Sequence, residues 1–146
     1  MTLSKDFKEF LQSLNNNHVR YLIVGGYAVA AHGHPRYTKD IDIWLWLDSQ
    51  NAADMIKALE DFGFGSLNLT PTDFLEPDTV VQLGYPPSRI DILTSLSGVE
   101  FEECYTSHIE IKIDGLTIPF IDLENLKRNK RASGRLQDLA DVENLQ

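Results

Sequence analysis

The residues Thr38-Lys39-Asp40-Ile41-Asp42-Ile43 place two carboxylates one residue apart at the start of an apolar, β-prone run that continues as Trp44-Leu45-Trp46-Leu47. On a strand, alternate side chains share a face. Asp40 and Asp42 therefore lie on one side, roughly 7 Å apart at their backbones, while Ile41 and Ile43 turn into the core. Like charges this close repel, and burying either is costly, unless a cation sits between them. Hard divalent cations such as magnesium take oxygen ligands of this kind and fill their remaining positions with water or substrate phosphate. The plainer alternative is two solvated side chains where a strand leaves a loop. A third carboxylate, Asp91, occurs at a similar point of the apolar run Arg89-Ile90-Asp91-Ile92-Leu93. If the two strands are neighbours, three acids converge, and such a set holds two metal ions about 4 Å apart for in-line phosphoryl displacement. Otherwise Asp91 pairs with Arg89 on the same face.

Two further groups of residues bear on phosphate. Gly25-Gly26 closes the apolar run Tyr21-Leu22-Ile23-Val24 and precedes a helix-favouring segment. Glycines there let a backbone approach an anion, and a helix start offers unpaired N–H groups, although glycine pairs also serve as simple turns. Late in the chain, Lys127-Arg128-Asn129-Lys130-Arg131 and Arg135 supply cations. Arg135 stands three and six residues before Asp138 and Asp141, so a helix-end salt bridge is its bland role. His32 and His34 flank Gly33, but two histidines without further nitrogen or sulfur ligands make a poor metal site. Trp44 and Trp46 share the face of Asp42, where packing is the expected role and stacking on a base the alternative.

The elements that must position these groups follow from periodicity. Leu3 to Leu14 has helical spacing, and Asn15-Asn16-Asn17 ends it. Strands are expected at Tyr21–Val24, Ile41–Leu47, Thr79–Leu83, Arg89–Leu93, Ile109–Ile113 and Leu116–Ile121. The third and fourth read as an antiparallel hairpin, and Asp114-Gly115 is a strong hairpin signal for the last two. Asp48 or Ser49 caps a helix that runs to about Phe62, with Gly63 at its C-terminal end. Gly65 to Asp78 reads as loop, and Phe101 to Thr106 is ambiguous. Asp122 caps one late helix, a second runs from about Leu136 to the end, and Gly134 sits between them. The pattern predicts a single α+β domain over 1–146, a mixed sheet flanked by helices with helices at both ends of the chain.

The 146 residues suffice for one domain with a real core, and no segment approaches the roughly 20 apolar residues that span a bilayer. The first residues lack the apolar block of a signal peptide, and the single Cys104 suits a reducing compartment, so a cytoplasmic location is expected. The net charge of −9 argues against a broad nucleic-acid surface. Between Asp40 and Cys104 the only basic residues are Lys57 and Arg89, so an acidic centre faces a basic late segment.

Taken in order, Val24-Gly25-Gly26, then Arg36-x-Thr38-x-Asp40-Ile41-Asp42-Ile43, then Asp91 on a later strand resemble the nucleotidyltransferase superfamily typified by DNA polymerase beta. The chain is most similar to the small stand-alone prokaryotic members of the abortive-infection and toxin–antitoxin type, whose tails read like Asn129-Lys130-Arg131-Ala132-Ser133-Gly134-Arg135-Leu136-Gln137-Asp138. The resemblance implies transfer of a nucleoside monophosphate from an NTP such as ATP to a hydroxyl, with release of pyrophosphate. It implies that Asp40, Asp42 and Asp91 hold two magnesium ions, with manganese as an alternative, and that Asp91 helps activate the acceptor. Gly25 and Gly26 would cradle phosphates, Arg36 and Thr38 would touch phosphate or hold the loop, and Lys130 and Arg135 would stabilise the leaving group. The acceptor stays open among a protein, a tRNA and a small molecule. A chain this short is expected to need a protein partner or a second copy to complete its site. The competing class is a non-catalytic nucleotide- or protein-binding module that retains the fold, and a weaker reading is a metal-dependent phosphatase or nuclease.

Overall fold

A computed structural model of the chain describes residues 3–34, 39–84 and 89–145. A six-stranded mixed sheet forms its centre: β1 (Tyr21–Val24), β2 (Ile41–Leu45), β3 (Val80–Leu83), β4 (Ile90–Leu93), β5 (Ile109–Ile113) and β6 (Leu116–Phe120), in the spatial order β3-β4-β2-β1-β6-β5. β1 lies antiparallel to β2 and parallel to β6, while β2 lies parallel to β4. The expected hairpins β3–β4 and β5–β6 are both antiparallel. Every residue of β1 is buried, as an apolar run with no polar alternation requires when both faces of a strand are covered.

Helices α1 (Lys5–Asn16) and α3 (Ser49–Phe62) pack on each other, and α1 also meets β6. Helix α1 buries Phe7, Phe10, Leu11 and Leu14, the apolar stripe that its spacing defines. Phe10 meets Phe62 of α3 edge to face, with ring centroids 5.2 Å apart. Asp48 is the N-cap of α3, its carboxylate accepting from the Asn51 N–H at 3.1 Å, and Gly63 ends the helix in the left-handed conformation. Between α2 (Gly25–Ala31) and α4 (Phe101–Thr106), the second covers Trp44, whose ring meets Phe101 edge to face at 5.2 Å. Trp44 is buried, as expected of sheet-face packing. Helices α5 (Leu123–Ser133) and α6 (Leu136–Asn144) form a packed pair hinged at Gly134.

Three elements differ from expectation. The Ile41–Leu47 strand ends at Leu45, the Gly65–Asp78 loop contains two 3-10 turns, and Phe101–Thr106 resolves as a short helix. The early end of β2 coincides with a side-chain latch. Asn51 is buried, its Nδ2 donates to the carbonyl oxygens of Arg20 and Trp46 at 3.0 Å each, and its Oδ1 accepts from the Arg20 N–H at 2.7 Å. One amide thus satisfies backbone groups of two chain segments at the entry to α3. Replacing it strands those groups. Asn51→Ala is expected to lower stability by about 2–3 kcal/mol, read as a lower urea midpoint at unchanged m.

Candidate active site

The parallel pairing of β2 with β4 sets Ile41 against Ile90 and Asp42 against Asp91, so the second and third acids occupy equivalent places on adjacent strands. Asp40 lies just before β2, and Arg89 just before β4. The Arg89 guanidinium reaches across the strands, with Nη2 2.6 Å from Asp40 Oδ2 and Nε 3.4 Å from Asp91 Oδ1. The expected convergence of the three acids on neighbouring strands is therefore present, but their carboxylates are not gathered into one ligand set. Among the described residues, no group of three or more His, Cys, Asp and Glu side chains is close enough to hold a metal ion. The Arg89 pairing expected of Asp91 coexists with the alignment of the acids.

Electrostatics mark Asp42 as the strained acid. Burial, followed by repulsion from Asp91 and Asp40, raises its pKa to about 6, against the weaker pull of Lys130 and Arg135. Burial also raises Asp91, and the guanidinium of Arg89 holds it back. Gly25 completes this corner. It follows Val24, the partner of Asp42 across the β1–β2 ladder, and adopts φ +66°. A Cβ at Gly25 would lie 2.1 Å from Asp42 Oδ2, so only glycine leaves room for that carboxylate. Gly26 is buried inside α2, which begins at Gly25 itself.

Facing these groups are the late helices. Gly25, Asp42, Lys130 and Arg135 line one cleft of about 260 Å³, together with Ser95 and Ser97 beyond β4. The cations differ in kind. Lys130 is buried, its Nζ 3.0 Å from Asp138 Oδ1 and 3.2 Å from Asp141 Oδ2. Arg135 has a side chain 78 % exposed and donates from Nε to Asp138 Oδ2 at 2.7 Å. Burial alone would raise Asp138, but hydrogen bonds from Arg135, Ser133 and Lys130 outweigh it and bring the pKa down to about 2. The helix-end salt bridge expected for Arg135 is thus present toward Asp138, while Asp141 is taken by Lys130. Arg36 and Thr38 lie outside the described residues. His32 holds the carbonyl oxygen of Ile121 at 2.8 Å through Nε2, a structural role.

Sequence reasoning missed the bridge from Arg89 to Asp40 and the cleft residues Ser95, Ser97, Asn129 and Ser133. The strand register that joins Arg89 to Asp40 has no sequence signal. The serines beyond β4 had one, as polar residues following an apolar strand that carries an acid.

The chain belongs to a family described as nucleotidyltransferase of unknown function (DUF6036), whose model matches residues 1–146. Solved structures share the fold. A candidate nucleotidyltransferase from Thermotoga maritima, TM1012, is similar with a TM-score of 0.61 at 17% identity, covering 95% of this chain and 87% of its own. The lincosamide antibiotic adenylyltransferase LnuA, solved with lincomycin bound, has a TM-score of 0.55 at 20% identity over 99% of this chain and 96% of its own. The antibiotic-resistance factor ANT(2'')-Ia has a TM-score of 0.59 at 13% identity over 96% and 80%. Comparison with curated proteins yields no match.

The raised pKa of Asp42 makes stability depend on pH. Because the folded-state value lies above the unfolded one, the contribution is fully present below about pH 4 and is lost as pH rises through about 6. Asp42→Asn should therefore stabilise the metal-free protein at pH 7 by about 2 kcal/mol, with melting temperatures converging near pH 4. Lys130→Met removes the cation against Asp141 and leaves Asp138 with Arg135 alone. It is expected to cost about 3–5 kcal/mol, seen as an early denaturant midpoint, before any effect on chemistry is read.

Proposed function

We propose that this chain is a metal-dependent nucleotidyltransferase that moves a nucleoside monophosphate from an NTP to the hydroxyl of a small acceptor. The observation that carries this reading is the in-register pairing of Asp42 with Asp91 beside Gly25, opposite Lys130 of α5 and Arg135 at the start of α6. Membership of a nucleotidyltransferase family supports it. The residues fit a divalent cation: Asp91 Oδ1 is buried without a hydrogen bond, and Asp42 is strained by its acidic neighbours. Asp42 and Asp91 would hold the ion, and Asp40 would join them once turned from Arg89. Magnesium there supplies charge neutralisation for a triphosphate.

The chain's own residues do the rest. Gly25 keeps the floor of the cleft flush, so that phosphate can approach the acids. Asp91 accepts the proton of the acceptor hydroxyl as its oxygen bonds to the α-phosphorus. The bond from that phosphorus to the bridging oxygen breaks, and pyrophosphate leaves toward the cationic wall. Arg135, exposed at the cleft, is the cation with reach toward that group, whereas Lys130 is committed to two buried acids and holds the wall in place.

A wider groove of about 640 Å³ adjoins the cleft at Ser95 and Leu96, bounded by Trp44, Trp46, Asp78 and Glu100. Its acidic rim disfavours a phosphodiester backbone and favours a neutral or cationic acceptor. LnuA, with lincomycin bound, is a relative in fold that acts on a small molecule.

Calorimetric titration of ATP, GTP, CTP and UTP, with and without magnesium, tests the reading. Magnesium-dependent binding of at least one triphosphate by the wild type, lost in Asp42→Asn, is the expected result. Binding that is indifferent to magnesium and to the substitution would remove the metal role.

A further inference from the structure

Arg89 stands among the acids as a cation built into the chain. One guanidinium joins the first and third carboxylates of the row, but its two contacts are unequal. With Asp40 it makes a close charge-assisted hydrogen bond at 2.6 Å. With Asp91 the contact is longer and poorly aligned. Arg89 Nε and Asp91 Oδ1 lie 3.4 Å apart, both buried, and neither has a hydrogen-bond partner. A buried donor and a buried carboxylate oxygen left unsatisfied in one pair are each unfavourable, and better partners are available to both. Water would satisfy the donor outside the cleft, and a divalent ion would satisfy the oxygen within it. The side chain of Arg89 is 35% exposed, so it can turn outward without opening the core.

The charge count leads to the same point. Three carboxylates lie at the head of β2 and β4, and among the described residues Arg89 contacts two of them. Lys130 and Arg135 face Asp42 from the opposite wall and are themselves tied to Asp138 and Asp141. A divalent ion bridging Asp40 and Asp91 would need the space the guanidinium fills.

We propose that Arg89 is the built-in counter-cation of the acid row, filling the place between Asp40 and Asp91 and competing with divalent metal for them. Without nucleotide the site then binds metal weakly through Asp42 and Asp91. Full use of Asp40 as a ligand requires Arg89 to leave. The inference rests on the metal-dependent reading above and extends it to a positioning residue which that reading does not use.

The test is manganese binding without nucleotide, followed by calorimetry and by the electron paramagnetic resonance of the free ion. Wild type, Arg89→Gln, Arg89→Lys and Asp42→Asn are compared. Removing a unit charge a few ångströms from two ligands is expected to tighten binding about tenfold in Arg89→Gln. Arg89→Lys, which reaches only one of the acids, is expected to tighten it roughly threefold. Metal-free Arg89→Gln should melt below the wild type and recover that loss when manganese is added. If Arg89→Gln does not fold without metal, Arg89→Lys carries the test. Unchanged or weaker binding in these variants overturns the proposal, including the case in which neither wild type nor variant binds. Asp42→Asn separates the two readings. If it binds manganese as tightly as the wild type, the metal site itself fails; if it loses binding while Arg89→Gln gains nothing, only the competition fails.

Discussion

Two carboxylates on adjacent strands of one sheet are held about 5 Å apart by the strand spacing itself, and the rest of this structure answers that repulsion. Asp42 and Asp91 cannot separate without breaking the β2–β4 ladder, whose flanking isoleucines are buried. Compensation therefore comes from outside the ladder. Arg89 reaches over from the strand start, and Lys130 and Arg135 act from the far wall. The residual strain falls on Asp42, the acid that Gly25 admits most closely to the backbone.

The far wall is held by the same kind of compensation. Burying the Lys130 ammonium is offset by Asp138 and Asp141, and burying those acids is offset in turn by Lys130. Arg135 adds a hydrogen bond to Asp138 from the solvent side. The hinge at Gly134 brings the two helices close enough for these contacts, since its left-handed conformation turns the chain sharply between Ser133 and Arg135. The cleft is thus an acidic sheet edge facing a cationic helical corner, each balanced internally before anything binds between them.

Much of this was legible in the sequence because local chemistry decided it. The apolar block of β1, the Asp48 and Gly63 ends of α3, the Asp122 cap of α5 and the hairpin at Asp114-Gly115 each carry their own signal. The alternation Asp40-Ile41-Asp42-Ile43 assigned the faces of β2. Contacts decided by long-range register were not legible. Nothing local distinguishes Asn51, a buried latch on two backbone segments, from a solvated residue in the first turn of a helix. Lys130 sits in a run of basic residues that reads as a solvated face, and its burial depends on Asp138 and Asp141 arriving from the next helix. Arg89 was readable as a partner of Asp91, two residues along its own strand, but not as a partner of Asp40, which lies 49 residues earlier. Helix α4 was ambiguous because six residues are too few to establish a period.

The strand order has a consequence for how the protein is made. β1 is flanked by β2, which follows it closely in the chain, and by β6, which is synthesised almost a hundred residues later. During synthesis the ribosome delivers β1, β2, β3 and β4 well before α5 and α6. Asp40, Asp42 and Asp91 thus all lie in the chain ahead of Lys130 and Arg135. Arg89, which contacts Asp40 and Asp91 in the folded chain, lies in that same earlier part, just before β4. Closing β6 against β1 is a late, non-local event of the kind that slows folding, and the oppositely charged half of the cleft follows it.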